Sequence, residues 1–460
     1  VKKYFIVALL FMAEEAFSQV EATMPFMTTV AQSAYFNPAI KPRYNFSFAL
    51  PSVFFQYASN GLTWDKTGTR DETSGKWTID GDKLTSNLRK QNHFNLAAQA
   101  NLFFLSLRVS PRLHLTVNAD AKSYARLTLP QDAMAFFTQG NAKYIGQTLS
   151  LSPKAEMLTY FDLGIGGAYS VDRKLTLGAR VKMLRGAHSL TTKKSQFDLT
   201  TQTGEISASA DADFRTSGLH GKPFENLSFS KIWEQSGKNL GLGFDFGGTY
   251  QLNDRLTLGA SVVDLGFISW TNKTYAYKLD PATSQVSFKG INIQDILNAP
   301  RKALDSIGSA LKDKFKLKNE ETGSYTTGIP TKVYLSGSYK LGHNITANGL
   351  LFFEAYSRFM PGLSASVQRE FGKRMALNLS YTMTNNSYNN IGLGFSANVA
   401  NMQLYLVGDN LVRGGIAILR KDLNSYINNT QFFTLRAGIN VVLRWTKAEE
   451  KGAQPVEKKK

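Results

Sequence analysis

Side chains able to do chemistry are few in this chain, and their spacing argues against a reaction. The five histidines, His93, His114, His188, His220 and His343, include no His-x-x-x-His pair, and none has an acid at ligand spacing, so no metal site is expected. Cysteine is absent, which removes disulfides, thiolate catalysis and a lipoprotein anchor. Nucleophilic hydrolysis needs a serine or aspartate system beside a histidine. His188 and Ser189 are adjacent in an alternating segment and so point apart, and no G-x-S-x-G motif occurs. Neither an enzyme nor a cofactor is expected. The charged residues are better ordered. His114, Asp120, Lys122, Glu156, Asp162, Arg180, Lys182, Asp245, Gln368, Glu370, Arg436 and Arg444 fall on the polar face of segments whose other face is apolar. Mixed charge on an enclosed face most often forms salt-bridge networks that hold a plug or line water; a specific ionic site is the sharper alternative.

The elements that position these residues read as strands. Leu435, Ala437, Ile439, Val441, Leu443 and Trp445 alternate with Thr434, Arg436, Gly438, Asn440 and Arg444, the period-two pattern of a strand with one apolar face. The same alternation runs through 156–171, 239–252, 375–382 and 390–399. Short turns join such runs at Ser110-Pro111-Arg112, Asp172-Arg173-Lys174, Asn253-Asp254, Gly342-His343, Gly372-Lys373 and Ala400-Asn401, and longer polar connections lie between them. Short turns alternating with long loops around dyad-patterned strands describe a transmembrane β-barrel of the outer-membrane type. The mean hydropathy of -0.22 and the lack of a long apolar run after the N-terminus exclude a helical membrane protein.

Counting gives an all-β, antiparallel barrel of about 14 strands, the first over 43–57 and the last over 432–445, with seven outer connections at 58–92, 127–153, 190–238, 269–328, 354–361, 384–389 and 408–431. A phase shift near Leu102 and Phe103 predicts a bulge. Gly167-Ala168-Tyr169 and Leu175-Thr176-Leu177-Gly178-Ala179 recur as Gly248-Thr249-Tyr250 and Leu256-Thr257-Leu258-Gly259-Ala260. Each copy is a hairpin with an outward tyrosine before its turn, and Tyr339 repeats the placement, as in an interfacial girdle. Two outer loops carry helical spacing: Ile296 to Phe315, and Gln131 to Gln139, whose Met134, Phe136 and Phe137 are expected to pack on the barrel mouth.

The ends read differently. Lys2 and Lys3 before an apolar stretch from Phe5 to Met12, then Ala16-Phe17-Ser18, predict a signal peptide over 1–18. Residues 19–42 do not alternate, 43–445 form the barrel, and 446–460 make a basic periplasmic tail. The formal net charge of +18 is dispersed, apart from Lys458-Lys459-Lys460 and a rim set of Arg112, Arg173, Lys174, Arg255, Lys373 and Arg374. No basic cluster is interleaved with exposed aromatics, so nucleic acid is not an expected partner, and anionic lipid headgroups account for the rim.

The strongest local motif is Phe36-Asn37-Pro38-Ala39, where an Asn-Pro step favours a tight turn into the first strand. An Asn-Pro-Ala motif before strand one of a 14-stranded barrel resembles the FadL superfamily. Gly140-Asn141, Tyr144-Ile145-Gly146, Leu175 through Lys182 and Leu184-Arg185-Gly186 resemble a FadL-like Bacteroidota barrel family of unknown function. The final strand ending on Trp445, with Gly438 and Leu443, resembles the signal read by the outer-membrane assembly machinery. The resemblance implies an N-terminal hatch inside the barrel. It also implies passive passage of a hydrophobic or amphipathic small molecule, laterally through the wall, in the outer membrane of a Gram-negative bacterium with both termini periplasmic. On that reading Phe36, Asn37, Pro38 and Ala39 gate, and Asp162, Arg180, Lys182, Asp245, Glu370, Arg436 and Arg444 line the lumen, with Arg180, Arg436 and Arg444 anchoring the hatch. Its partners are outer-membrane lipid, the assembly machinery and a hydrophobic ligand. A relative in fold, PorV, escorts cargo of type IX secretion, which implies the competing role of a docking subunit with outer-membrane protein partners.

Overall fold

Because alternating segments carry an apolar face along their whole length, and lipid offers no hydrogen bonds, such strands must pair on both edges. The computed structural model shows how. It describes residues 21–60, 62–70, 77–219, 233–234, 236–288, 315, 318–355, 359–372, 374–384, 387–411 and 430–443. The barrel strands are β1 (Phe46–Ala49 and Ser52–Ser59), β2 (Gln91–Arg108), β3 (Leu113–Pro130), β4 (Lys154–Ser170), β5 (Leu175–Gln202), β6 (Leu240–Gln251), β7 (Leu256–Trp270), β8 (Thr331–Gly342), β9 (Ile345–Ala355), β10 (Phe359–Phe371), β11 (Met375–Thr384), β12 (Ser387–Val399), β13 (Met402–Gly408) and β14 (Phe432–Leu443). Each pairs antiparallel with its neighbours, and β1 closes the ring on β14 through Phe46↔Leu443 and Val53↔Ala437. Alternation is preserved in burial. Along β11, Met375, Leu377, Leu379 and Tyr381 are exposed, while Asn378, Ser380 and Thr382 are buried. The apolar face therefore points outward and the polar face inward, the inverse of a soluble core and the arrangement of a transmembrane barrel. No helix among the described residues is long and apolar enough to cross a membrane.

All six predicted short turns join barrel strands. Three share one construction. Ser110 Oγ, Asp172 Oδ1 and Asn253 Oδ1 each accept two backbone N–H bonds, from Arg112 and Leu113, from Lys174 and Leu175, and from Arg255 and Leu256. These side chains stand in for a backbone turn partner. At the fourth turn His343 and Asn344 both have positive φ (50° and 60°), the geometry of a two-residue hairpin turn. Tyr169, Tyr250 and Tyr339 are all exposed on the outer face.

The sequence reading needs several corrections. The first strand is not continuous: Ala49 faces Asn440 but Val53 faces Ala437, so β1 carries one extra residue at Leu50-Pro51. Proline has no N–H for the ladder and sits at the break. The inward residues change phase there, from Ser47 and Ala49 to Ser52 and Gln56. The bulge predicted near Leu102 is present between Asn101 and Phe103. The connection at 190–238 is not all loop. β5 is 28 residues long, far more than a bilayer requires, and its distal part forms a hairpin with Glu205–Ser217. Thr274–Leu279 and Gln285–Phe288 add to that hairpin, and Lys318–Glu321 pairs with Thr274–Leu279, so the sheet continues beyond the barrel. The helix at Gln131–Gln139 forms, with Met134 packed against Leu62, Leu84 and Leu88, but Phe137 is 80% exposed rather than packed on the mouth. The signal-peptide stretch, the bulk of the 296–315 helix, Arg444, Trp445 and the tail lie outside the described residues.

The side-chain turn at Asp172 gives a first prediction. Backbone N–H bonds from Leu175 and Lys174 hold its carboxyl below the usual carboxylate range. A depressed pKa stabilises the folded state above the unfolded value, and the gain is lost as pH falls through the folded one. Asp172→Ala should lower the urea midpoint of the vesicle-embedded barrel at neutral pH. The gap from wild type should close as pH drops below about 4; a gap independent of pH would contradict this role.

Candidate functional site

Residues 21–45 run through the lumen. Their lack of alternation leaves them no place in the sheet, and two 3-10 turns, Met24–Phe26 (with Pro25 in its first turn) and Ala31–Tyr35, compact them into a hatch. The hatch is polar where it meets polar wall. Gln32 and Asn440 exchange bonds of 2.7 and 3.0 Å, Gln403 donates to Thr29 O at 2.9 Å, and Tyr35 donates to the Asp120 carboxylate at 3.0 Å. Arg436 grips Glu21 through Nε and Nη2 at 2.7 and 2.8 Å, a two-point contact buried inside the barrel.

The Asn-Pro-Ala motif occupies a slot with glycine walls. Asn37 Nδ2 donates to Gly248 O at 3.2 Å and Ala260 O at 3.4 Å, spanning β6 and β7, while its Oδ1 accepts from Ala39 N at 2.9 Å. Ser261 Oγ donates to Phe36 O at 2.6 Å, and the Phe36 ring meets Tyr334 edge-on at 5.6 Å. A Cβ on Gly247 would lie 2.1 Å from Asn37 Oδ1, and one on Gly178 would lie 2.3 Å from Ala39 N. The wall thus admits the motif only because those positions lack side chains. Gly178 belongs to the recurring hairpin sequence, as do Gly248, whose carbonyl accepts from Asn37, and Gly259, where a Cβ would lie 3.5 Å from Asn37 Nδ2; Gly247 stands just before the repeat.

Beyond the slot lies a layer of ions. Arg180 donates to Asp245 at 3.1 Å; Lys182 reaches Asp245 at 2.7 Å and Asp264 at 2.6 Å. Lys122 bridges Asp162 at 2.8 Å and Asp264 at 3.2 Å, and Lys332 lies 3.5 Å from Asp264. Arg180 also donates to Ala34 O at 3.3 Å and stands over the Tyr35 ring, so hatch and ion layer are joined. Asp264 has φ 57°, a left-handed conformation that aspartate tolerates better than most residues. It sits at a register shift between β6 and β7, where Val263 and Asp264 both turn inward.

Apolar layers flank these charges. Met24, Phe26, Met27 and Val30 of the hatch pack with Tyr334, Leu350, Phe352, Tyr405 and Val407 of β8, β9 and β13. Toward the long-loop end, Leu158, Tyr160, Leu184, Ile268, Trp270, Tyr325 and Ile329 form a second buried cluster. Trp270 lies over Gly186 and donates from its indole N–H to Thr327. A cavity of about 50 Å³ beside the hatch is bordered by Glu21, Lys122, Lys182, Asp264, Lys332 and Arg436, with Phe36 and Phe54. A hydrophobic-passage reading anticipates a phenylalanine- and leucine-lined pocket there; the space is instead mainly ionic and of water dimensions.

The predicted residues thus separate. Asp162, Arg180, Lys182 and Asp245 form one network, and Arg436 holds the hatch through Glu21. Glu370 lies apart: its phase is inward, but it sits at the short-turn end of β10, half-exposed, and pairs with Arg43 at 2.7 Å. Phe36, Asn37 and Ala39 are buried with the motif. Gly438 closes against Ser52 and the Tyr405 hydroxyl, and Leu443 faces outward. Sequence reasoning missed Asp264, Lys332, Glu21 and Tyr35. The bulge hides the first from any alternation test, and the hatch residues follow no period. Among the described residues no cluster of three or more His, Asp or Glu could hold a metal.

A closed 14-stranded antiparallel barrel with an apolar outer face and an occupied lumen defines an outer-membrane β-barrel. Residues 38–409 match DUF5723, a family of unknown function, and the chain belongs to it. No curated protein matches the chain. Among solved structures it is similar to a TodX deltaS2S3 mutant monoaromatic hydrocarbon channel (10% identity, 91% of this chain and 95% of that one, TM-score 0.45). It is also similar to a Pseudomonas aeruginosa FadL homologue (9% identity, 94% and 100%, TM-score 0.45). A third is the Pseudomonas putida toluene transporter TodX (10% identity, 91% and 94%, TM-score 0.41).

The ion layer makes a sharp prediction. Asp264→Asn keeps a residue that accepts positive φ but removes the carboxylate that Lys122, Lys182 and Lys332 share. Leaving buried cations short of a partner should cost about 3–5 kcal/mol in urea unfolding from vesicles. Glu370→Gln, at a half-exposed rim pair, should cost no more than about 1 kcal/mol.

Proposed function

We propose that this barrel passes a hydrophobic or amphipathic small molecule across the outer membrane by displacement of its hatch, with no chemical step and no cofactor. The observation that carries this reading is the amphipathic lumen. Tyr334, Leu350, Phe352, Tyr405 and Val407 form an apolar inner wall beside the ion layer, and Met24, Phe26, Met27 and Val30 cover it. With the 22–30 segment displaced, that wall would offer an amphipathic molecule an apolar surface next to charge. Methionine is adaptable packing, suited to a segment that leaves and returns. The FadL resemblance points the same way. In this reading Asn37, Pro38 and Ala39, expected from the sequence to gate, act instead as the fixed end of the hatch, with Arg180 beside them, and the 22–30 segment is the part that yields. In this reading the short-turn side is periplasmic; the first barrel strand begins there at Phe46, opposite Leu443 of the last strand.

One observation favours the competing role of docking subunit. The sheet beyond the barrel presents a face of paired charges, including Lys194 with Asp211 and Arg215 with Asp213. Standing clear of the barrel, that face offers a protein partner charges of both signs to pair with.

The two readings part in one experiment. Thr23 Oγ1 and Ser380 Oγ are 2.5 Å apart, and the chain has no cysteine of its own. Thr23→Cys with Ser380→Cys should form a disulfide that pins the yielding segment to β11. Uptake of an amphipathic fluorescent probe by cells expressing this variant should stop under oxidation and return on reduction. Uptake equal to that of cells lacking the protein, in both states, would discard passage in favour of docking.

A further inference from the structure

The small cavity beside the hatch has an unequal border. Four cations meet it, Lys122, Lys182, Lys332 and Arg436, against two carboxylates, Glu21 and Asp264. The wider ion layer holds more acids, but these do not border the cavity. Asp162 takes Lys122, Asp245 takes Arg180 and Lys182, and Glu354 lies 3.6 Å from Arg126. Asp120 accepts from Tyr35, Gln99, Asn101 and Asn118. The cavity itself therefore faces an excess of positive charge.

Two of its four cations are short of acceptors. Arg436 commits Nε and Nη2 to Glu21, and Nη2 also to Gln99 at 3.1 Å. Its Nη1 is buried without a hydrogen bond among the described residues, on a side chain that is 3% exposed. Among the described residues Lys332 has one ion pair, with Asp264 at 3.5 Å, the longest of the three lysine contacts which that carboxylate receives. The acceptors at the border are meanwhile occupied. Glu21 receives Arg436 through both oxygens, Asp264 receives three lysines, and the Tyr35 hydroxyl donates to Asp120 while accepting from Asn101. Arginine and lysine only donate, so the chemistry of this border calls for an acceptor. Water brings one, together with two protons for which the border has few free lone pairs.

We infer that this cavity is a binding site for a small monovalent inorganic anion of chloride size, held between Lys332 and Arg436. A water needs about 10–15 Å³, and a cavity of about 50 Å³ admits a larger sphere. A halide supplies acceptor capacity and one negative charge, with no proton to place. The site is built from both parts of the molecule: Glu21, Tyr35 and Phe36 come from the hatch, Lys332 from β8 and Arg436 from β14. It is complete only while the hatch is seated, so a bound anion stabilises the seated hatch by mass action. This role holds whether or not a small molecule passes the barrel.

Crystals of the full-length protein grown in sodium bromide and measured at the bromine absorption edge give a direct test. An anomalous peak between Lys332 and Arg436 is expected. Bromide at surface sites with none in the cavity would overturn the inference and assign the space to water. Urea unfolding from vesicles, in chloride and in gluconate at equal ionic strength, separates the site from general screening. Chloride at about ten times its dissociation constant should raise the folded-to-unfolded ratio about elevenfold over gluconate, which is too large to enter. Lys332→Gln should lose that gain, and Lys332→Arg should keep it. Heat-modifiable gel mobility verifies that each variant is folded. Equal ratios in the two salts for wild type, or a chloride gain that survives Lys332→Gln, would also overturn the inference.

Discussion

Every backbone N–H and C=O that faces lipid has to be paired within the protein, and the rest of this structure follows from that requirement. A sheet satisfies it only by closing, so β1 meets β14. Closure fixes two faces with opposite demands. The outer face has to be apolar, and alternation then sends a residue of every pair into the lumen. A lumen of this size, lined with Asp162, Arg180, Lys182, Asp245 and Arg436, would be a water-filled channel if nothing entered it. The hatch enters it, and the charges are consequently enclosed. Once enclosed they need partners. The ion layer and the Arg436–Glu21 contact are thus a consequence of closing the ring around a plug.

Breaks in the ladder are where the barrel departs from this simple rule. The extra residue in β1 falls at Pro51, which has no N–H to leave unpaired. The shift between β6 and β7 turns Val263 and Asp264 inward together, one into the apolar strip and one among three lysines. That single bulge sets apolar strip and ion layer side by side. Without it Asp264 would face lipid, and Lys122, Lys182 and Lys332 would share too few carboxylates.

Much of this was legible in the sequence because strand period and turn chemistry are local. The six turns, the strand number, the outward tyrosines and the bulge near Leu102 all follow from residues close together in the chain. The inward phase of Asp162, Arg180, Lys182, Asp245 and Arg436 follows for the same reason. What was not legible is what depends on enclosure. Glu370 has the correct phase, but height along the strand decides whether a charge joins the ion layer or the rim, and period does not encode height. Asp264 lies just past a bulge, and a bulge reverses the meaning of every residue after it. Glu21 and Tyr35 belong to a segment whose partners lie up to 415 residues away. Gly178 was visible within a repeated motif and Gly247 stands just before one, yet their purpose appears only when Asn37 is set against them.

The two halves of the hatch are held by different physics, and the difference gives the molecule a direction. The carboxy-terminal half is held by shape: a Cβ at Gly178 or Gly247 would collide with the motif, and Asn37 ties two strands at once. Shape of this kind has one solution, and leaving it strands polar groups of the motif. The amino-terminal half is held by area and by hydroxyls, such as Thr23 against Ser380 and Asp409 and Thr29 against Ser396. An apolar strip accepts any apolar occupant, and hydroxyls re-pair with water at little cost. The exceptions at that end are Asp409, a buried carboxylate that accepts from Thr23 and from Ala22 N, and Glu21, whose bond to Arg436 borders the small ionic cavity. A displaced Glu21 would leave Arg436 enclosed without its carboxylate, so under the proposed passage the occupant that frees the 22–30 segment most readily is one that replaces both the apolar cover and the charge.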